Sequence, residues 1–353
     1  MLFKNRKSYV LHFALVLTLA GGMFGTAPVQ AEPFAYRVAS DGAASGSCGT
    51  DWSNPCALQY VLPLLTSGGE LWVKEGIHKP GNDRNATFRL MNGVAIYGGF
   101  AGTETSREQR DPSSHITILS GDLNGNDNSN IAHDEPARAE NVLHVFAGSG
   151  VDSSAILDGF TISGGNANLN SGTHSARGGG IWIGSGSPTI TNVIFTGNSS
   201  LELGGGMYNE NDSSPALTDV IFTNNSSEGG GGLTNYRSSP TLTNVKFTNN
   251  TATFSGGGVL NVSQSSPIFV DVTIANNSAF TFGGGMSNYN STPRISNSTF
   301  YDNHASGNPH PFHTYDTTAP FGGGLYNSFE SSPILENTTI TRNTTGNVSD
   351  GFG

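Results

Sequence analysis

The stretch Gly204–Asn225 reads GGGMYNENDSSPALTDVIFTNN and contains the unit that decides the fold. A Gly triplet followed by an aliphatic residue occurs six times, with the third glycine at positions 180, 206, 232, 258, 285 and 324. The steps between these glycines are 26, 26, 26, 27 and 39 residues. A proline and an aromatic- or aliphatic-x-x-Asn motif recur with the same spacing. The chain is therefore built from internal repeats.

The segments between these recurring residues are short and alternate in polarity, as in Thr189–Phe195. Each is long enough for a strand and too short for a helix. One repeat would hold three short strands and three bends, and successive coils would pair in parallel about 4.8 Å apart. Their inward aliphatic residues would form a core that no single repeat could bury. The sequence predicts an all-β fold, a right-handed parallel β-helix (solenoid) with coils of about 26 residues and an N-terminal cap.

The recurring asparagines predict hydrogen-bonded ladders, because each lies at the same place in its coil and stacked amides pair with one another. The structural ladder comprises Asn198, Asn225, Asn250, Asn277, Asn303 and Asn343. A second ladder is predicted at Asn209, Asn235, Asn261, Asn288 and Asn327, and Ile183 interrupts it. An internal stack is predicted for Phe195, Phe222, Phe247 and Phe300, continued by Ile274 and Ile340.

Across residues 155–353, the alternation of Gly-Gly-x-aliphatic with Phe-x-x-Asn resembles the passenger repeats of chlamydial polymorphic outer membrane proteins. It is also similar to large secreted bacterial β-helix proteins of unknown activity. The third residue departs from the commonest family form, because it is Gly in all six copies rather than often Ala. The resemblance implies export, display at the cell surface or outer membrane, and adhesin-like interactions.

The remaining parts of the chain complete the predicted organisation. Residues 1–31 have the layout of a signal peptide, with Lys4, Arg6 and Lys7 before a short apolar core and Ala31 before the cleavage point. Residues 32–69 are predicted as an N-terminal cap that contains a disulfide between Cys48 and Cys56. Residues 70–154 would form irregular first coils, and residues 155–353 the regular repeats. We expect no transmembrane segment after signal removal, and an open C-terminal end that needs further coils or a partner.

Two segments carry residues with metal-binding chemistry. Oxygen-bearing side chains at Asp122, Asn124, Asn126 and Asp127 suggest a calcium loop. It matches an EF-hand loop only in part, because Asp127 stands at the sixth position where Gly is required, so a solvated loop is the alternative. An inserted loop at 304–321 contains His310, His313, Tyr315 and Asp316. It is interpreted as a projecting surface loop, and a metal site is the alternative.

Composition restricts the function. Charged residues make up 12% of the chain and the formal net charge is −11, which argues against nucleic acid as a partner. The leading hypothesis is a secreted or surface-displayed module with a structural or adhesive role, which binds a glycan or a surface protein along one face and requires no cofactor. The alternative is a carbohydrate-active enzyme, either a pectate-lyase-like polysaccharide lyase or a glycoside hydrolase. Asp219 and Asp271 are its candidate carboxylates, but they share a repeat position with Asn192 and Asn244, which favours a turn role.

Overall fold

The computed structural model describes residues 35–65, 68–169, 172–307 and 322–346, which all belong to one compact unit spanning Pro33–Gly353. The signal peptide predicted at residues 1–31 lies outside the described residues. The described chain is mostly β-strand, and its strands pair in parallel. The all-β prediction and the parallel pairing of successive repeats are therefore confirmed.

Three sheets contain the strands of the described residues. Sheet A comprises Ala35–Ala43, Gly69–Lys74, Gly76–His78, Val94–Phe100, Thr117–Ser120, Ile156–Ser163, Thr189–Thr196, Ala216–Thr218, Ile221–Thr223, Thr241–Thr243, Lys246–Thr248, Ile268–Val270, Thr273–Ala275, Arg294–Ser296, Thr299–Tyr301, Ile334–Glu336 and Thr339–Thr341. Sheet B comprises Phe88–Arg89, Phe146–Ser149, Ile181–Gly184, Met207–Glu210, Leu233–Tyr236, Val259–Val262, Met286–Tyr289 and Leu325–Ser328. Sheet C comprises Asn166–Ala167, Ser199–Ser200, Ser226–Gly229, Thr251–Ser255, Ser278–Ala279, His304–Ala305 and Thr344–Thr345.

Each coil contributes to the three sheets in the same order. The chain passes from Thr189–Thr196 in sheet A to Ser199–Ser200 in sheet C and then to Met207–Glu210 in sheet B, before it returns to sheet A at Ala216. Equivalent residues of successive coils are directly paired, as Met207 is with Leu233. This winding is compatible with an all-β parallel solenoid.

The helices are short and lie in the connections. The α-helix Leu58–Val61 continues into a 3-10 helix, and its residues Leu58 and Val61 are buried in the main core. Nearby, a disulfide joins Cys48 to Cys56 across a Cα–Cα distance of 5.1 Å. These elements place apolar side chains against the first strand, where an uncovered sheet edge would otherwise invite pairing with another chain. The 3-10 helices are Leu62–Leu64, Arg107–Gln109, Pro136–Arg138 and His174–Ala176.

The phenylalanine stack is confirmed. The rings of Phe195 and Phe222 lie 4.7 Å apart and those of Phe222 and Phe247 lie 4.8 Å apart, and both pairs are nearly parallel. Ile274 pairs with Phe247 on one side and with Phe300 on the other, so the apolar column continues through it. The ring separation equals the spacing of hydrogen-bonded strands, which explains why one large residue per coil packs without gaps.

The structural ladder runs through the buried interior. The side-chain Nδ2 of each asparagine from Asn198 onward donates to Oδ1 of the next asparagine, over distances of 2.8 to 3.1 Å. At the start of the ladder, the backbone N–H of Gly165 donates to Asn198 Oδ1. Buried amides are costly unless they are paired. The ladder therefore fixes the register between coils as well as satisfying its own polar atoms.

The bend positions shared by Asp219 and Asp271 have left-handed backbone conformations. Their φ angles are both 56°, and the equivalent Asn192 and Asn244 have φ angles of 52° and 53°. Asn and Asp tolerate this region better than other residues that carry a side chain. The geometry accounts for the interchange of Asp and Asn at this bend.

In the last described coil, positions that are buried in earlier coils become exposed. Leu335 is 43% exposed and Ile340 is 44% exposed, whereas Ile295 and Phe300, their partners in the preceding coil, are buried.

Candidate functional site

The carboxylate of Asp122 accepts hydrogen bonds from backbone N–H groups of its own loop. One oxygen accepts hydrogen bonds from the backbone N–H groups of Gly125 and Asn126, and the other accepts one from Asp127. The side chains of Asn124 and Asn126 are exposed. Among the described residues, no group of three or more His, Cys, Asp or Glu side chains is placed to hold a metal ion. Calcium binding by these four residues stays a prediction.

Asp127 forms a buried ion pair instead of projecting with the other loop residues. Its carboxylate lies 2.7 Å from Arg138 Nη1, and the Asn141 amide also donates to it. The Arg138 side chain is 1% exposed, and its other terminal nitrogen donates to the carbonyl oxygens of Gly165 and Gly197. Arg138 thus ties the loop that follows Asp122 to the beginning of the regular coils. Burial lowers the pKa of Arg138 from its ordinary value.

The predicted insertion begins later than residue 304. His304 and Ala305 form a strand of sheet C paired with Ser278 and Ala279. The backbone N–H of Gly307 still donates to the carbonyl of the preceding coil, at Phe280. Residues 304–307 of the predicted loop therefore continue the regular pairing between coils. The remaining residues of the insertion, with His310, His313, Tyr315 and Asp316, lie outside the described residues.

The outer face of sheet B differs from that of sheet A. Equivalent outward positions of sheet A are rich in threonine, as at Thr191, Thr218 and Thr243. Sheet B has two outward rows along the molecule. The first row is Trp182, Tyr208, Thr234, Leu260, Ser287 and Tyr326, and the second is Gly184, Glu210, Tyr236, Val262, Tyr289 and Ser328. Four residues of the first row are buried, namely Tyr208, Thr234, Leu260 and Ser287. The aromatic residues of the two rows that reach solvent are Trp182, Tyr236, Tyr289 and Tyr326, and the carboxylate of these rows is Glu210.

We define the Trp182 cluster as Trp182, Tyr208, Glu210, Arg177 and Glu202. The Trp182 indole N–H donates to Glu210 over 3.0 Å, and the Tyr208 hydroxyl donates to the other oxygen of Glu210 over 3.4 Å. Arg177 lies over the Tyr208 ring, 5.6 Å from its centre, and its Nε donates to Glu202 over 2.8 Å. Trp182, Arg177 and both carboxylates are partly exposed. The cluster therefore presents the Trp182 ring and two carboxylates partly to solvent, whereas Tyr208 is fully buried and helps to hold the other members in place.

Two histidines border the Trp182 cluster. The ring centre of the exposed His174 lies 5.1 Å from that of Trp182, and the ring centre of the buried His144 lies 6.2 Å from it. His144 Nδ1 donates to the Gly178 carbonyl, and no described residue bonds to its buried Nε2. Burial lowers the pKa of His144 to about 4, so this ring is neutral at pH 7.

The tyrosine of the cluster is also perturbed. Burial, followed by the neighbouring Glu210 carboxylate, raises the pKa of Tyr208 above its ordinary value. The hydroxyl therefore remains a hydrogen-bond donor at neutral pH. Titratable groups with perturbed pKa values that lie close together are a physical reason to suspect a functional site.

A second polar network lies on the outer face of sheet A, in the first coils. Arg107 Nη1 lies 2.6 Å from a Glu70 oxygen, and Arg110 Nη2 lies 2.6 Å from an Asp158 oxygen. Both guanidinium groups lie over the Tyr97 ring, at 4.8 and 5.1 Å. Arg107 and Arg110 both belong to the connection 101–116, which joins the strands Val94–Phe100 and Thr117–Ser120. Their ion pairs with Glu70 and Asp158 therefore fasten this connection to the sheet.

Sequence reasoning did not find the Trp182 cluster. Its members do not recur with the repeat: the position of Trp182 is occupied by Tyr208, Thr234 and Leu260 in the next coils. A search for recurring residues therefore passes over them. The available signal was the opposite of recurrence, because no other paired copy of these positions in sheet B carries Trp or Glu.

No helix among the described residues is both long enough and apolar enough to cross a membrane. No protein-family model, curated protein or solved structure matches this chain, so the candidate site is defined by its geometry and by its place in a parallel β fold.

Proposed function

We propose that the chain is a secreted or surface-displayed right-handed parallel β-helix module that binds a glycan along the outer face of sheet B. The observation that carries this proposal is the Trp182 cluster. Trp182 is partly exposed, and Trp combines an apolar ring with a polar tip, so its ring can stack on the C–H face of a sugar ring. The carboxylate oxygens of Glu202 and Glu210 can accept hydrogen bonds from hydroxyl groups.

The rigidity of the cluster supports binding rather than a merely exposed aromatic patch. Trp182 and Tyr208 share Glu210 as an acceptor, and Arg177 links Tyr208 to Glu202. A preorganised surface loses less side-chain freedom when a ligand binds. Because the strand Ile181–Gly184 is paired in register with Met207–Glu210, the spacing of the side chains of Trp182, Tyr208 and Glu210 is fixed as well.

A glycan panel with a matched pair of aromatic variants tests this function. Trp182→Ala should reduce binding at least tenfold, and Glu210→Gln should weaken it while leaving the indole in place. Tyr301→Ala is the control, because Tyr301 is a partly exposed aromatic residue on the outer face of sheet A. Equal losses for Trp182→Ala and Tyr301→Ala, or no loss for either, would contradict binding at sheet B.

The alternative function is a polysaccharide lyase or hydrolase at the same face. It is favoured by the presence of two carboxylates, Glu202 and Glu210, that are both linked to Tyr208. Mass spectrometry of a polysaccharide panel after incubation with residues 32–353, with and without calcium, separates the alternatives. Intact chains support a binding module. New unsaturated ends that require calcium identify a lyase, and new saturated ends identify a hydrolase.

Export and surface display rest on the layout of residues 1–31 and on the resemblance to polymorphic outer membrane protein repeats. N-terminal sequencing of the protein produced with its leader tests export. A mature chain that begins at Glu32 is expected, and an intact Met1 on a cell-associated protein would contradict it.

A further inference from the structure

The turns that lead from sheet B to sheet A alternate in length. Between the end of each sheet B strand and the following proline there are three residues at 185–187, four at 211–214, three at 237–239, four at 263–266, three at 290–292 and four at 329–332. A three-residue turn flanked by two four-residue turns is recessed between them. The alternation therefore produces a notch at 237–239.

This notch, the Arg237 notch, is a cavity of about 190 Å³ lined by Asp212, Ser214, Arg237, Ser239, Ser263 and Gln264. Backbone hydrogen bonds hold its walls, because the Asp212 N–H donates to the Arg237 carbonyl and the Arg237 N–H donates to Val262. The cavity is smaller than the pockets of about 300 Å³ or more that enclose drug-sized ligands. It suits one group on the edge of a larger molecule.

Arg237 is an unusual residue for its backbone. Its φ angle is 49°, and Asn211 and Ser263 hold the first turn position of the coils on either side with φ angles of 57° and 59°. Asn adopts this left-handed region more readily than Arg does. The guanidinium is exposed, and within the described residues no carboxylate lies within ion-pair distance of it. By contrast, Arg177 and Arg342 in the same repeats are both ion-paired.

The donors and acceptors of the notch define the ligand chemistry. The planar fork of Arg237 matches a carboxylate with two parallel hydrogen bonds. Three serine hydroxyls and the Gln264 amide can bond to sugar hydroxyl groups, and the Asp212 carboxylate accepts from them. A carboxylate carries one negative charge, so it is repelled less by Asp212 than a doubly charged phosphate monoester would be.

The notch adjoins the sheet B face. Tyr236 precedes Arg237 directly and is paired with Glu210 of the Trp182 cluster. We propose that the Arg237 notch is the subsite that receives the carboxylate of a uronic acid unit, in a glycan that also contacts the Trp182 cluster. This inference rests on the proposed glycan-binding function, and it names an acidic sugar as the class of ligand.

Binding of three oligosaccharides to the full mature chain tests the proposal: an oligomer of glucuronic acid, the same oligomer with its carboxylates reduced to alcohols, and a sulfated neutral oligomer. The acidic oligomer should bind at least tenfold more tightly than its reduced form. Arg237→Gln should remove this difference, while Arg294→Gln, an exposed arginine on the outer face of sheet A, should keep it. Preference for the sulfated oligomer, or an unchanged preference in Arg237→Gln, would overturn the carboxylate assignment.

Different results would contradict the glycan-binding function and the carboxylate subsite at the Arg237 notch. Trp182→Ala should weaken the acidic and the reduced oligomer alike, whereas Arg237→Gln should weaken only the acidic one. If no oligomer binds, the glycan-binding function fails, and the notch is then tested alone with glucuronate by following the Arg237 Nε–H resonance. A saturable shift that is absent with glucose supports the notch. No shift overturns it.

Discussion

Ile183 is paired directly with Asn209 in sheet B, and the second asparagine ladder begins at this contact. Nδ2 of Asn209 donates to Asn235, and the chain of bonds continues to Asn327. Oδ1 of Asn209 is buried without a partner among the described residues, because an isoleucine stands where the donor would be. Every inner member of the ladder both donates and accepts, and its first member only donates.

This asymmetry predicts different costs for the same substitution. Asn261→Ile would leave Asn235 Nδ2 without its acceptor and Asn288 Oδ1 without its donor. Asn209→Ile would only move the unpaired acceptor from Asn209 to Asn235. We expect Asn261→Ile to lower the free energy of unfolding by about 1–3 kcal/mol more than Asn209→Ile, as measured by urea denaturation. Equal losses would mean that the ladder bonds contribute nothing beyond burial.

His144 makes stability depend on pH. Its pKa is lowered from 6.5 to about 4 in the folded protein by burial, so between these values the unfolded chain binds more protons than the folded one. Stability is therefore complete above pH 6.5 and falls as the pH drops towards 4. The shift corresponds to about 3 kcal/mol. His144→Gln should lose less stability than the wild type between pH 7 and pH 4. Parallel curves for the two proteins would count against a buried neutral His144.

The Asp127–Arg138 ion pair is buried and the Asp302–Arg342 ion pair is exposed, although the paired atoms lie 2.7 and 2.8 Å apart. Arg138→Met removes the charged partner of the Asp127 carboxylate and the hydrogen bonds from Arg138 to two carbonyl groups, and should cost about 3 kcal/mol of unfolding free energy. Arg342→Met is the matched control and should change stability by less than about 1 kcal/mol. Similar effects of the two substitutions would show that Arg138 does not anchor its loop.

Substitution at Asp122 tests the calcium hypothesis. Because both Asp122 oxygens accept backbone hydrogen bonds, Asp122→Ala should lower the thermal midpoint by the same amount in calcium and in chelator. A wild-type midpoint that rises with calcium, and does not rise in Asp122→Ala, would instead support a calcium site formed with Asn124, Asn126 and Asp127.

Substitutions at Asp219 test whether this residue is a turn residue or a catalytic carboxylate. Its φ angle of 56° predicts that Asp219→Ala costs about 1 kcal/mol of stability. Asp219→Asn should be neutral, because Asn192 and Asn244 occupy the same bend. A loss of polysaccharide cleavage in Asp219→Asn, with stability unchanged, would favour the hydrolase alternative.

The repeat alone determined the strands, the phenylalanine stack and the members of both ladders. The physical reason is that identical residues at one place in successive coils must meet when the coils stack, so a period read along the chain becomes a set of contacts. Even the interruption at Ile183 was visible, since it is a break in that period. The bend at Asp219 and Asp271 was visible in the same way, through their exchange with asparagine, and both have left-handed φ angles.

Only the tertiary structure decided which non-repeating residues meet. Trp182 and Glu210 are separated by 28 residues, and Arg138 lies 59 residues from the Gly197 carbonyl that it contacts. These contacts depend on which face each side chain points to and on the path of an irregular loop, and neither leaves a periodic trace in the sequence. The same holds for the Arg237 notch, because a difference of one residue between turns becomes a cavity only when the coils are stacked in register.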